Sequence, residues 1–260
     1  ASWDMQNVRW ATVALNNTAL SMENYDFTLA GWAAQDLQND VYLGAAPTKY
    51  CYSADARQSI INDYNWTITD GGQDCPAAPD FTNAFITTWK TDNSGSSASN
   101  QITIPTSGSG YNYTIDWGDG NVEADLTGDT THTYASEGTY TVKIIGNFPQ
   151  IYFCGGGDVQ KILTVEQWGT NQWGSMHCSF AYATNLTIPA TDAPDLSNVT
   201  DMDLMFFGAT SFNQPIKHWD TSNVESMAAL FSNASSFNQS LDNWNVENVA
   251  DMTQMFHEAS

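Results

Sequence analysis

The feature that most restricts what this chain can fold into is a gapless repeat in its last third. The run Asn198-Val199-Thr200-Asp201-Met202 through Met205-Phe206, Ala209, Phe212-Asn213-Gln214, Ile216 and Trp219 returns as Asn223-Val224, Met227, Leu230-Phe231, Ala234, Phe237-Asn238-Gln239, Leu241 and Trp244, offset by 25 residues throughout. A third copy begins at Asn248-Val249 and reaches Asp251-Met252, Met255-Phe256 and Ala259; a looser one precedes them at Met176, Phe180, Ala183 and Leu186. A period in the range of roughly 20–29 residues marks units that cannot bury their apolar face alone and stack on one another. Apolar residues three and four apart in Val-x-x-Met-x-x-x-Phe suit a pair of helical turns or a tight curved segment. The Phe and Trp stripe is then core. Asn198, Asn223 and Asn248 are expected to form an internal ladder that satisfies curved backbone.

The rest of the chain is not repetitive. Residues 1–78 open with Trp3 and Val8 at the spacing of Trp219 and Val224, as the final coil of a preceding stack. Short strands at 41–43 and 66–69 and a helix over about 53–63, capped by Ser53, complete a terminal cap. Pro76 and Pro79 mark a linker. Residues 79–148 alternate apolar and polar positions at 85–91, 101–105, 111–117, 131–134 and 139–145, with Gly- and Ser-rich turns between, which predicts a small β-sandwich with Trp117 and Tyr140 as core partners. Residues 149–260 return to the repeat and stop in mid-copy at Ser260, so the chain is expected to be a piece of a longer protein.

The residues Trp219-Asp220-Thr221-Ser222-Asn223-Val224, Met227, Phe231, Ala234 and Ser236-Phe237-Asn238-Gln239 resemble the repeat of BspA-like leucine-rich-repeat surface proteins, the mycoplasma lipoprotein-associated type. The segment from Tyr50-Cys51 to Asp70-Gly71 resembles the cap that ends such repeats. Asp116-Trp117-Gly118-Asp119-Gly120 with His132-Thr133-Tyr134 and Gly138-Thr139-Tyr140 resembles a PKD-like, immunoglobulin-type domain. The expected fold is therefore a mixed α/β solenoid of leucine-rich-repeat type, with a small all-β sandwich between two solenoid portions. The resemblance implies secretion or surface display and an adhesive role. It brings no catalytic residues.

Composition narrows the function further. Seven Lys and Arg face 29 Asp and Glu, a net charge of −22, which excludes binding nucleic acid through a basic patch. No apolar run is long enough for a membrane-spanning helix. Among the four cysteines, Cys51 pairs with Cys75 and Cys154 with Cys178, because the other two pairings cross domain boundaries and stacked coils bring the latter pair together. His132, His177, His218 and His257 are scattered, and no His-Glu-x-x-His or Gly-x-Ser-x-Gly motif occurs, so no enzyme activity and no cofactor are expected. Asp116 and Asp119 suit calcium by their hard oxygens, or are simply the acids of an Asp-Gly turn. Recognition of a protein or glycan on a cell surface or matrix is assigned to Lys217, His218, Asp242 and Asn243, which differ between otherwise matching copies. The alternatives are a stalk without ligand and a carbohydrate-binding accessory region of a secreted enzyme. Adjacent modules of the same chain are the other expected partner.

Overall fold

The computed structural model describes residues 3–75 and 77–259. Ala1 and Ser2 of the opening coil, Pro76 of the linker and Ser260 at the mid-copy stop lie outside the described residues. The chain divides into two compact bodies, Ala1–Ala78 and Pro79–Ser260.

The first body contains α1 (Met22–Ala33), β1 (Tyr42–Gly44), α2 (Ala54–Tyr64) and β2 (Thr67–Thr69), with β1 and β2 parallel. Tyr25, Leu29 and Trp32 lie four and three residues apart and bury one face of α1. Ser21 caps the helix by accepting from the Asn24 N–H. Ser53 does not cap α2 as its sequence position suggests. Its hydroxyl donates instead to Asp26 Oδ1 at 2.6 Å, and the N–H groups of Cys51 and Ser53 reach the same carboxylate at 3.0 and 2.9 Å. Burial opposes the charge on Asp26, but these donors outweigh it and hold the carboxyl below its usual range. Asp70 joins the same elements: it accepts Arg57 Nε at 2.8 Å and the Tyr25 hydroxyl at 3.1 Å. The Cys51–Cys75 disulfide closes the body.

The second body is built on an antiparallel five-stranded sheet. Its strands are β3 (Phe85–Lys90), β5 (Asn112–Asp116), β6 (Val122–Leu126), β8 (Thr139–Asn147) and β9 (Ile162–Gln167), in the order β6-β5-β8-β3-β9. A second pair, β4 (Gln101–Ile104) and β7 (Thr130–Thr133), is also antiparallel. Alternation along β3 buries Phe85, Thr87 and Trp89. Ile102 and Ile104 of β4 belong to the same core as Tyr113, Ile115, Val142 and Ile144. Trp117 stacks on His132 at 4.9 Å and meets Tyr134 edge-on, while Tyr134 stacks on Tyr140 at 3.7 Å. Tyr134 thus stands between the two rings that the sequence pairs directly. β9 comes from beyond residue 148 yet pairs with β3, so residues 79–148 and 149–260 share one sheet and one apolar core. Cys154 and Cys178 are joined at the start of the repeats.

The repeats themselves contain neither helix nor extended strand among the described residues. In each, every second N–H closes a turn and the intervening ones cross to the next repeat. Met205, Phe207 and Ala209 donate to Met202, Leu204 and Phe206 carbonyls, while Met202, Leu204, Phe206 and Gly208 donate to Ser226, Ala228, Leu230 and Ser232. The pattern recurs from Met227 to Asn233, whose partners are Asp251, Thr253, Met255 and His257. Two residues per repeat, four apart, are left-handed: Cys178 and Tyr182, Leu204 and Gly208, Ala229 and Asn233, Gln254 and Glu258. Single parallel bridges, Asp201 to Ser226 and Ser226 to Asp251, mark the register. The rings form files: Phe180, Phe206 and Phe231, all buried, and the exposed Phe256 stack at 5.6 to 5.9 Å, and Phe212 stacks on Phe237 at 5.7 Å.

The expected mixed α/β solenoid of leucine-rich-repeat type is therefore corrected. The fold is mainly β, its sheets are largely antiparallel, and the two helices among the described residues both lie in the first body. The physical reason is the pair of left-handed residues in each repeat, which interrupts helix and strand alike while keeping apolar side chains at helix-like spacing. The asparagine ladder forms through Asn223 and Asn248, which bond backbone carbonyls of the preceding repeat, but it is corrected in place: Asn198, Asn223 and Asn248 are exposed rather than internal.

Three outcomes are expected. Ala229 has φ +52°, so Ala229→Gly should relieve a left-handed alanine and raise stability by roughly 0.5–1 kcal/mol in urea unfolding. Asp26 has a depressed folded pKa, so its contribution is present above the ordinary carboxyl value of about 3.9 and is lost as pH falls through the lower folded value. Asp26→Asn should flatten this acid-side loss in a pH series of melting curves, at a cost near neutrality of about 1–3 kcal/mol for unpaired donors. Replacing Cys154 and Cys178 together by Ala frees a loop of 24 residues and should cost about 3 kcal/mol, read from the same unfolding curves.

Candidate binding face

A polar groove runs across the repeats where each one turns, after Pro194, Trp219 and Trp244 in successive copies. The turn is set by a side chain: Asp195, Asp220 and Asn245, in 25-residue register, each accept the N–H two residues on, from Ser197, Ser222 and Glu247, at 2.9 to 3.0 Å. The bonds to Ser197 and Ser222 hold the Asp195 and Asp220 carboxyls below their usual range. The asparagine that follows then reaches back one repeat. Asn223 Nδ2 donates to the Ser197 carbonyl at 3.1 Å and Asn248 Nδ2 to that of Ser222 at 2.6 Å.

Backbone bonds fix the floor of the groove, with Glu225 and Ser226 N–H on the Thr200 carbonyl and Ala250 N–H on that of Glu225. Ser197, Asn198, Thr200, Asn223, Glu225, Asn248 and Ala250 line an open volume of about 530 Å³. An amide offers two donors and an acceptor. Each bonded asparagine commits one N–H to the neighbouring repeat and keeps the rest of its amide for a ligand. Among the described residues, the Asn198 and Glu225 side chains have no hydrogen-bond partner. The result is a row of acceptors and donors at one spacing.

The residues singled out from the sequence are placed as follows. Lys217 and His218 occupy the positions that Asp242 and Asn243 occupy one repeat later, and all four are exposed. His218 Nε2 lies 3.3 Å from the Asp192 carbonyl, and the Asp242 N–H donates to Ser240 Oγ. None of the four lines the groove. Asp116 and Asp119 are engaged by protein donors: Asp116 by Lys143 Nζ at 2.9 Å and the Gly118 N–H, Asp119 by His132 Nε2 at 2.8 Å and by Asn121. Burial opposes the charge on Asp119, and His132 with Asn121 outweighs it, lowering its pKa.

Thr200 and Glu225 escape sequence reading because they sit between the invariant positions of the repeat. Their variation within an otherwise fixed frame, the argument applied to Lys217 and His218, applies equally to them. The first body shows a different surface. Phe27 and Tyr52 stand exposed beside an apolar groove of about 590 Å³ between α1 and α2, with Tyr52 at 86%.

A protein family described as a Mycoplasma protein of unknown function, DUF285, matches residues 154–260. No curated protein and no solved structure matches the chain. The resemblance to BspA-like leucine-rich repeats interrupted by a PKD-like domain is corrected accordingly: the family match is confined to the repeat region, and the mainly β fold with its turn-built repeats is not that of a leucine-rich-repeat protein. What is similar to the Mycoplasma family is the part of the chain that carries the groove.

Proposed function

We propose that this chain is an extracellular, surface-displayed attachment module that holds a polar protein or glycan ligand non-covalently along the exposed face of its repeats. The observation that carries the reading is the groove itself, in which Asn198, Asn223 and Asn248 present amide groups in 25-residue register on a backbone fixed by repeat-to-repeat bonds. A rigid row needs little ordering when it binds, which favours affinity from modest contacts. Location outside the cell is supported by the two disulfides, which persist in oxidising compartments, and among the described residues no helix is long and apolar enough to cross a membrane.

A second reading is carbohydrate recognition by the first body, as an accessory region would perform it. It is favoured by the exposed rings of Phe27 and Tyr52, which offer flat apolar faces to a sugar. Trp219 and Trp244 support no such role, since both are buried.

Binding to an array of glycans and matrix proteins tests both. The attachment reading expects a saturable hit that weakens at least tenfold in the Asn198→Ala, Glu225→Ala double variant, which removes side chains without a hydrogen-bond partner among the described residues. A hit that survives that variant and is lost in Phe27→Ala, Tyr52→Ala transfers recognition to the first body. A hit lost only in Lys217→Ala, His218→Ala moves it to that edge. Silence from a folded chain overturns attachment in favour of a spacer.

A further inference from the structure

Where the looser first repeat meets the next, three ligating side chains converge. One ligand atom each from His177, Asp201 and Asp203 lies within 4.8 Å of the other two. His177 Nδ1 is buried and makes no hydrogen bond. Its nearest acidic atom, Asp201 Oδ2, is 3.4 Å away, long for a hydrogen bond. That separation equals the edge of a tetrahedron with metal–ligand bonds of about 2.1 Å, which is about 3.4 Å.

The surroundings hold these groups in place. The His177 ring stacks on Tyr152 with planes 17° apart, and its own N–H and carbonyl are fixed by Ser175 Oγ and Gln150 Nε2. Asp201 Oδ1 accepts the Asp203 N–H at 2.9 Å, and Asp203 Oδ1 accepts Ser226 Oγ and the Ala228 N–H at 2.5 and 2.6 Å. Each carboxylate thus uses one oxygen for the fold and keeps its second, the arrangement in which outer partners orient a metal ligand.

The repeat accounts for Asp201, which recurs as Asp251, but not for the whole cluster: Ser226 stands at that position in the repeat between them, and Ala228 and Thr253 stand where Asp203 does. Cys154 and Cys178 also approach His177, but their sulfurs are bonded to each other and supply no thiolate.

We propose that His177, Asp201 and Asp203 form a binding site for one first-row divalent cation, Zn²⁺ foremost, that bridges two successive repeats. Imidazole with two carboxylates suits such ions better than calcium or magnesium, which take oxygen ligands. Three protein ligands leave a coordination position for water, and the His177 and Asp201 side chains are 34% and 44% exposed, although the His177 Nδ1 atom itself is buried. Because the ligands come from two repeats, the ion binds the folded chain and not the unfolded one, and raises its stability.

Calorimetric titration of Zn²⁺ into the chelator-treated full chain tests the site. The expected result is one strong site per chain, weakened at least tenfold by His177→Ala and by Asp201→Asn, unchanged by His218→Ala, and not displaced by a tenfold excess of Ca²⁺. Zn²⁺ should raise the melting temperature of the parent chain and leave that of His177→Ala unchanged. The ring of His177 makes no hydrogen bond, so this variant keeps its fold, checked by circular dichroism without metal. Equal affinity of parent and His177→Ala, displacement by Ca²⁺, or no binding at micromolar Zn²⁺ overturns the proposal; the first two are what a bare acidic surface gives.

Discussion

The second body depends on a division of labour among its backbone N–H groups. From Met202 to Ala209 alternate N–H groups turn the chain and bind its neighbour, and the Asp203 N–H, which does neither, goes to Asp201 Oδ1. Every donor of the segment is thereby satisfied without helix or sheet, as buried backbone requires. The geometry demands left-handed residues at fixed places, and the chain fills them with Leu204, Ala229 and Gln254 as well as Gly208 and Asn233. A left-handed residue other than glycine costs about 1–2 kcal/mol. Packing must offset that cost, and the files of phenylalanine supply the apolar area to do so.

Such a stack needs a first layer, and the five-stranded sheet provides it. β9 is bonded to β3 on one side, while Val165 N–H reaches the Thr187 carbonyl and Thr187 N–H reaches that of Leu163. Just before β9, Lys161 is completely buried. Its ammonium donates to the carbonyls of Ser97, Ala98 and Gln101 and to Ser97 Oγ, at 2.7 to 3.2 Å, and Asp158 beside it takes the N–H groups of Ser97 and Thr103. Burial pulls the lysine pKa down and Asp158 opposes it. A buried pair of this kind is weak evidence for stability but imposes one arrangement on the groups around it. Here it fixes the loop after β3 against the strand that starts the repeats. The aromatic core then runs without a break from Phe85 through Trp168 to Trp219.

Much of this was legible in the residues, and the failures have physical causes. The period, the buried Phe and Trp positions and most strands of the sandwich follow from spacing alone, because apolar periodicity reports burial directly. It does not report backbone conformation. Val-x-x-Met-x-x-x-Phe reads as a helical pattern, and nothing in Leu204 or Gln254 announces a positive φ, since both residue types normally avoid it. α1 was missed although Tyr25, Leu29 and Trp32 carry helical spacing and Ser21 a cap, because Gly31 and Thr28 weaken the local propensity. β6 lacks alternation: only Glu123 and Leu126 are even partly covered. Ser53 was misassigned because a serine before a helix has two uses, and the carboxylate that claims it lies 27 residues away. The groove was legible only in part: Asn198, Asn223 and Asn248 recur unchanged, but Thr200, Glu225 and Ala250, which line it beside them, differ in type.

Departures from the repeat sort by whether the fold accounts for them. Asp201 and Asp251 each bond the N–H two residues on, whereas the intervening repeat has Ser226, whose hydroxyl donates to Asp203 Oδ1 instead. Asp203 compensates from the neighbouring repeat by accepting both the Ser226 hydroxyl and the orphaned Ala228 N–H. An acid out of register is thus explained by a serine out of register, and the pair is best understood as one structural substitution. Asn223 and Asn248 are likewise explained on one side of the amide, by the carbonyls that they bind, and left open on the other. Glu225 and the His177 ring are explained by no hydrogen bond among the described residues. In a chain where a packing or hydrogen-bonding duty recurs every 25 residues, side chains that stand outside that duty are where selection for something other than folding can be read.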